Sequence, residues 1–258
     1  MSDWRDDPGS EPDRMTLGQA VRYLVSPVAL NARAAVDAEG LRHLIVLFMT
    51  NVVVVMVVTA AIWSVLLSAT GGEMPANAND SLLELNPGRL VLYAIVIAPL
   101  VEEGLFRSWL GGRRSAVVGL PVLAALMAVL LAAPDLPGMA VAGLAACLAF
   151  AVGVVIRRTF ALDDRSVAAA RATLFPAAFW GSAVLFALLH MTNYTDGTLV
   201  LPLLLLAVLP QGLVGLVLGY VRMRFGLVSA IAFHAGYNAL FISLMLLGAG
   251  LAESAPAG

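Results

Sequence analysis

Six polar side chains that could act in one reaction occur inside otherwise apolar stretches of the sequence, on three separate segments. They are Glu102, Glu103, Arg107, His190, His234 and Asn238. Carboxylate and imidazole groups transfer protons, and a carboxamide both donates and accepts hydrogen bonds. A charged group inside a membrane costs about 3 kcal/mol on insertion scales, so it usually faces a partner or a wet cavity. The coincidence of an unpaired carboxylate, two histidines and a carboxamide on three segments favours one shared site over separate interhelical hydrogen bonds, which are the alternative for each histidine or asparagine alone.

Helical spacing gives the two glutamates different surroundings. Residues four apart share a face of a helix, so Glu103 can reach Arg107, whereas Glu102 points about 100° away from its neighbour. We therefore expect Glu103 and Arg107 to form a buried pair that orients the helix. Glu102 is left without a partner and is the better candidate for chemistry.

The same spacing groups the residues of the two later segments. His234 and Asn238 lie four apart and share one face, and Phe186 lies four before His190 and shelters one flank of it. Pro99 stands just before the two glutamates and has no backbone N–H to donate within a helix. We expect that segment to be kinked or loosened beside the carboxylates, which would open a cavity.

The elements that position these residues are predicted to be membrane-spanning helices. Hydrophobic residues make up 60% of the chain and charged residues only 12%, with a mean hydropathy of +0.91, which excludes an ordinary soluble domain. Runs of roughly 17 to 25 apolar residues can cross a bilayer as helices. Seven such runs are Leu44–Ser68, Leu90–Leu110, Ala116–Ala132, Gly138–Ile156, Leu174–Met191, Leu199–Val221 and Leu227–Gly248. The prediction is an all-α, polytopic transmembrane helix bundle of about seven spans, within a range of six to eight; six remain if the third and fourth runs are re-entrant.

The basic residues predict the orientation of the bundle. All of them are arginine, and they concentrate in alternate loops, which places the N-terminus in the cytosol by the positive-inside rule. We expect reporter fusions at Arg113, Arg171 and Arg224 to report the cytosolic side and a fusion at Gly258 the outside. A cytosolic Gly258 would remove one span from the count. The exclusive use of arginine is typical of a GC-rich bacterial genome, so we predict a multi-pass protein of the bacterial inner (plasma) membrane.

Other features of the sequence narrow the class of function. Cys147 is the only cysteine and lies in an apolar run, so neither a disulfide framework nor a cysteine metal site is expected. A formal net charge of −2 argues against a nucleic-acid partner, and the sequence gives no oligomeric state. Asn51 and Gln211 are expected to form interhelical hydrogen bonds, and "GLVLG", Gly215 to Gly219, is expected to be a close packing face.

Three short motifs resemble those of a known family. "EEGLFR", "FALLH" and "HAGYN" resemble the EExxxR, FxxxH and HxxxN motifs of the CPBP family, which comprises CAAX prenyl protease type II and Abi proteins, intramembrane glutamic or metallo-endopeptidases. Each motif alone is weak, but three in order on three hydrophobic segments form a specific pattern. The resemblance covers roughly Leu92–Arg113 and Phe179–Leu244.

The resemblance implies a role for each motif residue. Glu102 would be the general base that activates water, with help from His190. His234 and Asn238 would stabilise the oxyanion. Three further motif residues would support the site: Glu103, Arg107 and Phe186. The implied function is an intramembrane endopeptidase that hydrolyses a peptide bond of a membrane-associated protein or peptide, in contact with membrane lipid.

Relative to the family pattern, the sequence has an insertion between the first two motifs. The expected organisation is a cytosolic N-terminal tail at 1–43, a transmembrane domain at 44–250 and a C-terminal tail at 251–258. Within the transmembrane domain, the motif-bearing core covers 88–114 and 173–248, and the inserted hairpin covers 115–172. The N-terminal tail has mixed charge, unlike a cleaved signal peptide, and a candidate amphipathic surface helix at 15–30.

Two alternatives remain open at the level of the sequence. Glu102, His190 and His234 could bind zinc with an open fourth position. However, there is no HExxH helix, and no free carboxylate would remain as the base, so we favour a reaction without a metal cofactor. The other alternative is a non-proteolytic transporter, proton relay or scaffold. No second copy of the Glu-Glu-Arg pattern exists, although transporters commonly contain paired repeats.

Overall fold

The computed structural model describes residues 16–30, 33–73, 75, 86–107, 110, 164–194 and 199–254. The regular elements within these ranges are helical, which confirms the predicted all-α class. In chain order they are α1 (Leu17–Val25), α2 (Ala38–Ala69), α3 (Pro87–Leu90), a π-helical segment (Val91–Ile97), α4 (Ala98–Arg107), α5 (Asp164–Leu189), a 3-10 turn (His190–Asn193), α6 (Leu201–Ala207), α7 (Leu209–Phe225) and α8 (Leu227–Ser254).

Several of these helices are suited to a membrane. Ala38–Ala69, Thr173–Asn193 and Leu227–Gly248 are each long and apolar enough to cross one, and α6 with α7 adds a fourth if this pair, bent by 42°, is a single broken span. These four correspond to the predicted spans one, five, seven and six. The predicted spans three and four lie outside the described residues. The seven-span count and the orientation therefore stay predictions.

The predicted span two is an interrupted helix. It consists of α3, the π-helical segment and α4, and the backbone N–H of Ala98 bonds to the carbonyl of Tyr93, five residues back. Pro99 follows directly and cannot donate a hydrogen bond. The expected loosening beside the glutamates is thus confirmed, and it takes the form of a π-helical segment, a feature that often accompanies functional sites.

Helix α5 begins at Asp164, before Leu174, where the sequence analysis started span five. It continues through Pro176, so this proline lies inside the helix and does not mark its start. Residues 164–172, which were assigned to the inserted hairpin, form the first turns of α5. The rest of that hairpin lies outside the described residues.

Helix α7 is the centre of the packing, and α1, α2, α5 and α8 all lie against it. Two glycines allow α5 to approach closely. A Cβ atom on Gly215 would lie 3.2 Å from Phe186 Cδ1, and one on Gly219 would lie 2.7 Å from Phe179 Cε2. The packing face predicted at "GLVLG" is therefore confirmed.

The N-terminal part of the described chain is docked on this bundle. Helix α1 starts with a capping box between Thr16 and Gln19 and buries Ala20 and Tyr23. Trp180 Nε1 donates a hydrogen bond of 2.9 Å to the carbonyl of Leu24. Helix α1 therefore packs on α5 and α7 through one face, and this face fixes its place on the bundle.

Candidate active site

A buried ion pair lies at the base of the site. Glu103 and Arg107 are both 0% exposed, and Arg107 Nη1 donates to Glu103 Oε1, as their spacing of four predicts. Arg107 Nη2 lies 3.5 Å from the carbonyl oxygen of Gly215, and its guanidinium carbon lies 4.4 Å from the ring centroid of Phe186. The arginine therefore joins α4 to α5 and α7 through a hydrogen bond and a cation–π contact.

Arg222 adds a second link between α4 and α7. Its Nε donates a hydrogen bond of 3.0 Å to the main-chain carbonyl of Arg107, at the end of α4, and the residue is only 5% exposed. Arg222 was expected in the basic loop after the sixth span, but it lies inside α7, because this helix extends to Phe225. Its spacing of seven from Gly215 places both residues on one helix face, a signal that the sequence contained.

His234 connects the two glutamates. Its Nδ1 lies 3.0 Å from Glu103 Oε1, and its Nε2 lies 3.7 Å from Glu102 Oε2. A carboxylate can only accept, so the hydrogen of this bond belongs to Nδ1. The pair of Glu103 and Arg107 thereby orients the imidazole so that Nε2 faces Glu102.

Glu102 has the more open position of the two carboxylates. Its side chain is 22% exposed, against 0% for Glu103, and its Oε2 is a buried atom with no hydrogen-bond partner among the described residues. The 3.7 Å to His234 exceeds hydrogen-bonding distance. Glu102 thus has an imidazole neighbour that the sequence did not show, while its carboxylate keeps an acceptor oxygen available.

His190 joins the site through the ring of Phe186. Its Nδ1 donates a hydrogen bond of 2.8 Å to the carbonyl of Phe186, and the two ring centroids lie 4.7 Å apart. The same phenyl ring lies 5.8 Å from the ring of His234. His190 makes no direct hydrogen bond with Glu102, His234 or Asn238, and its Nε2 is left as the acceptor of a neutral ring.

Asn238 closes the side of the site next to the π-helical segment. Its Nδ2 donates a hydrogen bond of 2.8 Å to the carbonyl of Ala94, which lies in that segment. One N–H of the carboxamide is therefore used to hold α8 against the interrupted span, and the second N–H remains for another acceptor. The structure thus places His234 beside Glu102 between α4 and α8, and Asn238 lies one turn farther along α8, against the π-helical segment.

The zinc alternative requires three ligands that converge. Each histidine directs Nδ1 to an oxygen and leaves Nε2 available, which is how zinc-binding histidines are usually held. However, no group of three His, Cys, Asp or Glu side chains in the described parts of the chain is arranged to hold a metal ion. The described residues therefore give no observation in favour of the zinc alternative, and the metal-free reaction stays a prediction.

Comparison with known proteins gives a match at the level of the family. The family model for Type II CAAX prenyl endopeptidase Rce1-like proteins matches residues 85–240, a range that includes all the candidate site residues. No curated protein and no solved structure matches the chain. Since the matched range is more than half of the chain, this protein belongs to the Type II CAAX prenyl endopeptidase Rce1-like family.

Proposed function

We propose that this membrane protein is an intramembrane endopeptidase in which Glu102 activates the water that cleaves a peptide bond of a membrane-associated protein. The observation that carries the proposal is the partly open Glu102 carboxylate, which faces a histidine that a buried ion pair holds in place. The family match supports a CAAX-type endopeptidase in general. A peptidase without a covalent intermediate needs a base for water and donors for the oxyanion.

The reaction follows from the groups of this site. Glu102 Oε2 accepts a proton from water as the water oxygen bonds to the carbonyl carbon of the substrate. The carbonyl oxygen becomes an oxyanion, and the free N–H of Asn238 is available to it. The C–N bond then breaks as the intermediate collapses, and the proton held by Glu102 passes to the leaving nitrogen. The base is thereby regenerated.

His234 donates to the oxyanion only in one protonation state. Because Nδ1–H is engaged with Glu103, Nε2 carries a hydrogen only when the ring is an imidazolium. Such a cation would lie between two carboxylates, an arrangement that offsets the cost of a buried charge. Glu103 and Arg107 then act through His234 and make no contact with the substrate. His190 has a free Nε2 and assists in holding the water.

The surroundings and the substrate class are part of the same proposal. The apolar helices support a site within the membrane, and the composition predicts the inner membrane of a bacterium. The substrate is a membrane-associated protein or peptide, and the family description makes a prenylated C-terminal CAAX segment the first candidate. Zinc dependence and a transport function are the alternatives that the following test separates.

The test uses the purified chain in liposomes with an internally quenched farnesylated peptide that ends in a CAAX sequence. We expect wild-type protein to release one C-terminal fragment, identified by its mass, and to continue after prolonged treatment with a strong chelator. Bound zinc should be substoichiometric, because catalysis is assigned to Glu102. Activity that chelation abolishes and Zn²⁺ restores, with one ion per chain that is lost in His190→Ala, would overturn the metal-free reaction. Proton flux across the liposomes without any cleavage would favour the transporter.

A further inference from the structure

Gln211 has a buried side-chain oxygen that the mechanism above does not use. It lies in the first turn of α7, and its Oε1 has no hydrogen-bond partner among the described residues. The expected interhelical hydrogen bond to this oxygen is therefore not observed there. A buried acceptor without a donor is unfavourable, so such an atom calls for an explanation such as a water or a ligand.

The face of α7 that carries Gln211 points toward α4. Gln211, Gly215 and Arg222 follow one another at spacings of four and seven, which places them on one side of the helix. Both later members contact the same residue of α4: the carbonyl of Gly215 lies near the guanidinium of Arg107, and Arg222 donates to the Arg107 carbonyl. Gln211 lies on the same side of α7, one turn beyond Gly215 in the direction away from Arg222.

The packing of α5 places Gln211 level with His190. A Cβ on Gly212 would lie 3.5 Å from Ala187 Cβ, and a Cβ on Gly215 would lie 3.2 Å from Phe186 Cδ1. The two helices therefore run in opposite directions, and the turn of α5 that follows Ala187 lies beside the turn of α7 that contains Gln211. His190 follows directly in the 3-10 turn that continues α5, and its Nε2 makes no hydrogen bond with the described residues.

The geometry points to Gln211 as a positioning residue for the hydrolytic water, an inference that rests on the proposed function. Glu102 Oε2 and Gln211 Oε1 are both buried oxygens that lack a donor among the described residues. One water has two hydrogens and can donate to both, and this leaves a lone pair directed at the substrate carbonyl. When the water attacks, Glu102 takes one proton, and Gln211 keeps the other O–H fixed.

Asn51 is a matched control. It is also a buried carboxamide with an atom, Nδ2, that lacks a partner among the described residues. It lies in α2, which contacts α7 through the hydrogen bond between His43 and Tyr220. Tyr220 follows Gln211 by nine residues, and at about 100° per residue the two side chains point to opposite sides of α7. Helix α2 therefore packs on the side opposite to Gln211.

The experiment compares Gln211→Met with Asn51→Leu on the same farnesylated peptide in liposomes. Gln211→Met keeps the volume and loses the acceptor, so we expect kcat to fall about 10- to 100-fold, as for loss of one well-placed polar contact to a reacting group, with KM within about twofold. Asn51→Leu should retain wild-type kcat. If both variants melt close to the wild-type temperature, a lower kcat in Gln211→Met is due to the position of the water and not to loss of folded protein.

A second pair of variants adds a charge. The charged and titratable groups near Glu102 are Glu103 and Arg107 on α4 and His234 on α8, and His190 lies in the 3-10 turn after α5. Under this inference, Gln211→Glu places a second carboxylate on the other side of the water. Repulsion between the two carboxylates should move the acidic limb of the pH profile of kcat/KM to higher pH. Asn51→Asp should leave that limb in place.

The outcomes distinguish this inference from the proposed function. If Glu102→Gln abolishes cleavage but Gln211→Met keeps wild-type kcat, the role of Gln211 is wrong and the proposed function stands. If Gln211→Met and Asn51→Leu lose activity and melting temperature together, Gln211 is structural and the inference is overturned. An unmoved acidic limb in folded Gln211→Glu also overturns it. Undiminished cleavage by Glu102→Gln contradicts the proposed function itself.

Discussion

Replacing Glu102 with glutamine is expected to reduce kcat about 10²- to 10⁴-fold, the range that a positioned general base contributes. Glutamine keeps the size and one acceptor oxygen of the side chain but cannot take a proton from water at neutral pH. The side chain is partly exposed, and its Oε2 has no hydrogen bond with the described residues that the substitution would break. The variant should therefore be produced at wild-type yield, as a monodisperse protein with an unchanged melting temperature. The measurement is single-turnover cleavage of the farnesylated peptide.

The control for this prediction is the adjacent glutamate. Glu103→Gln changes the same type of side chain one residue away, but it removes a charge that Arg107 and His234 both contact. We expect this variant to lose stability as well as activity, whereas Glu102→Gln loses activity alone. Cleavage by Glu102→Gln at a rate near wild type would assign the base to another group.

Local features of the site were predictable because they depend on spacing within one segment. The pair of Glu103 and Arg107 follows from a separation of four residues, and the loosened helix follows from Pro99, which has no N–H. The same applies to the shelter that Phe186 gives to His190. In each case the partners belong to one helix or one turn, and the helical repeat alone fixes their relative direction.

Contacts between distant segments were not predictable in the same way. The bond between His234 and Glu103 depends on the rotation of α8 against α4, which a helical repeat does not define. The burial of Arg222 depends on how far α7 extends. The start of α5 at Asp164 was not predicted because the apolar run begins only at Leu174, whereas the helix extends into the more polar residues before it. These features require the packing of several helices, and only a structure supplies it.

Loss of the buried carboxylate is expected to have the largest effect on stability. Glu103→Ala leaves the guanidinium of Arg107 uncompensated at 0% exposure and also removes the acceptor that orients His234. Breaking a buried ion pair by removing one partner typically costs about 3–5 kcal/mol. We expect a strong fall in monodisperse yield and in melting temperature in detergent, both measured beside Glu102→Ala, which should stay close to wild type.

A double substitution separates the charge from the shape of the Glu103 side chain. In Glu103→Leu with Arg107→Met, neither member of the pair is left charged, and replacing a whole buried pair by apolar residues of similar volume is often neutral or stabilising. The double variant should therefore recover most of the yield that Glu103→Ala loses. It should not recover cleavage, since Nδ1 of His234 has no carboxylate to bind and its ring is free to turn away from Glu102. Recovered yield together with full cleavage in the double variant would show that the ion pair only holds the helices together. Equal losses of yield in Glu103→Ala and Glu102→Ala would show that the two carboxylates do not have separate structural and chemical roles.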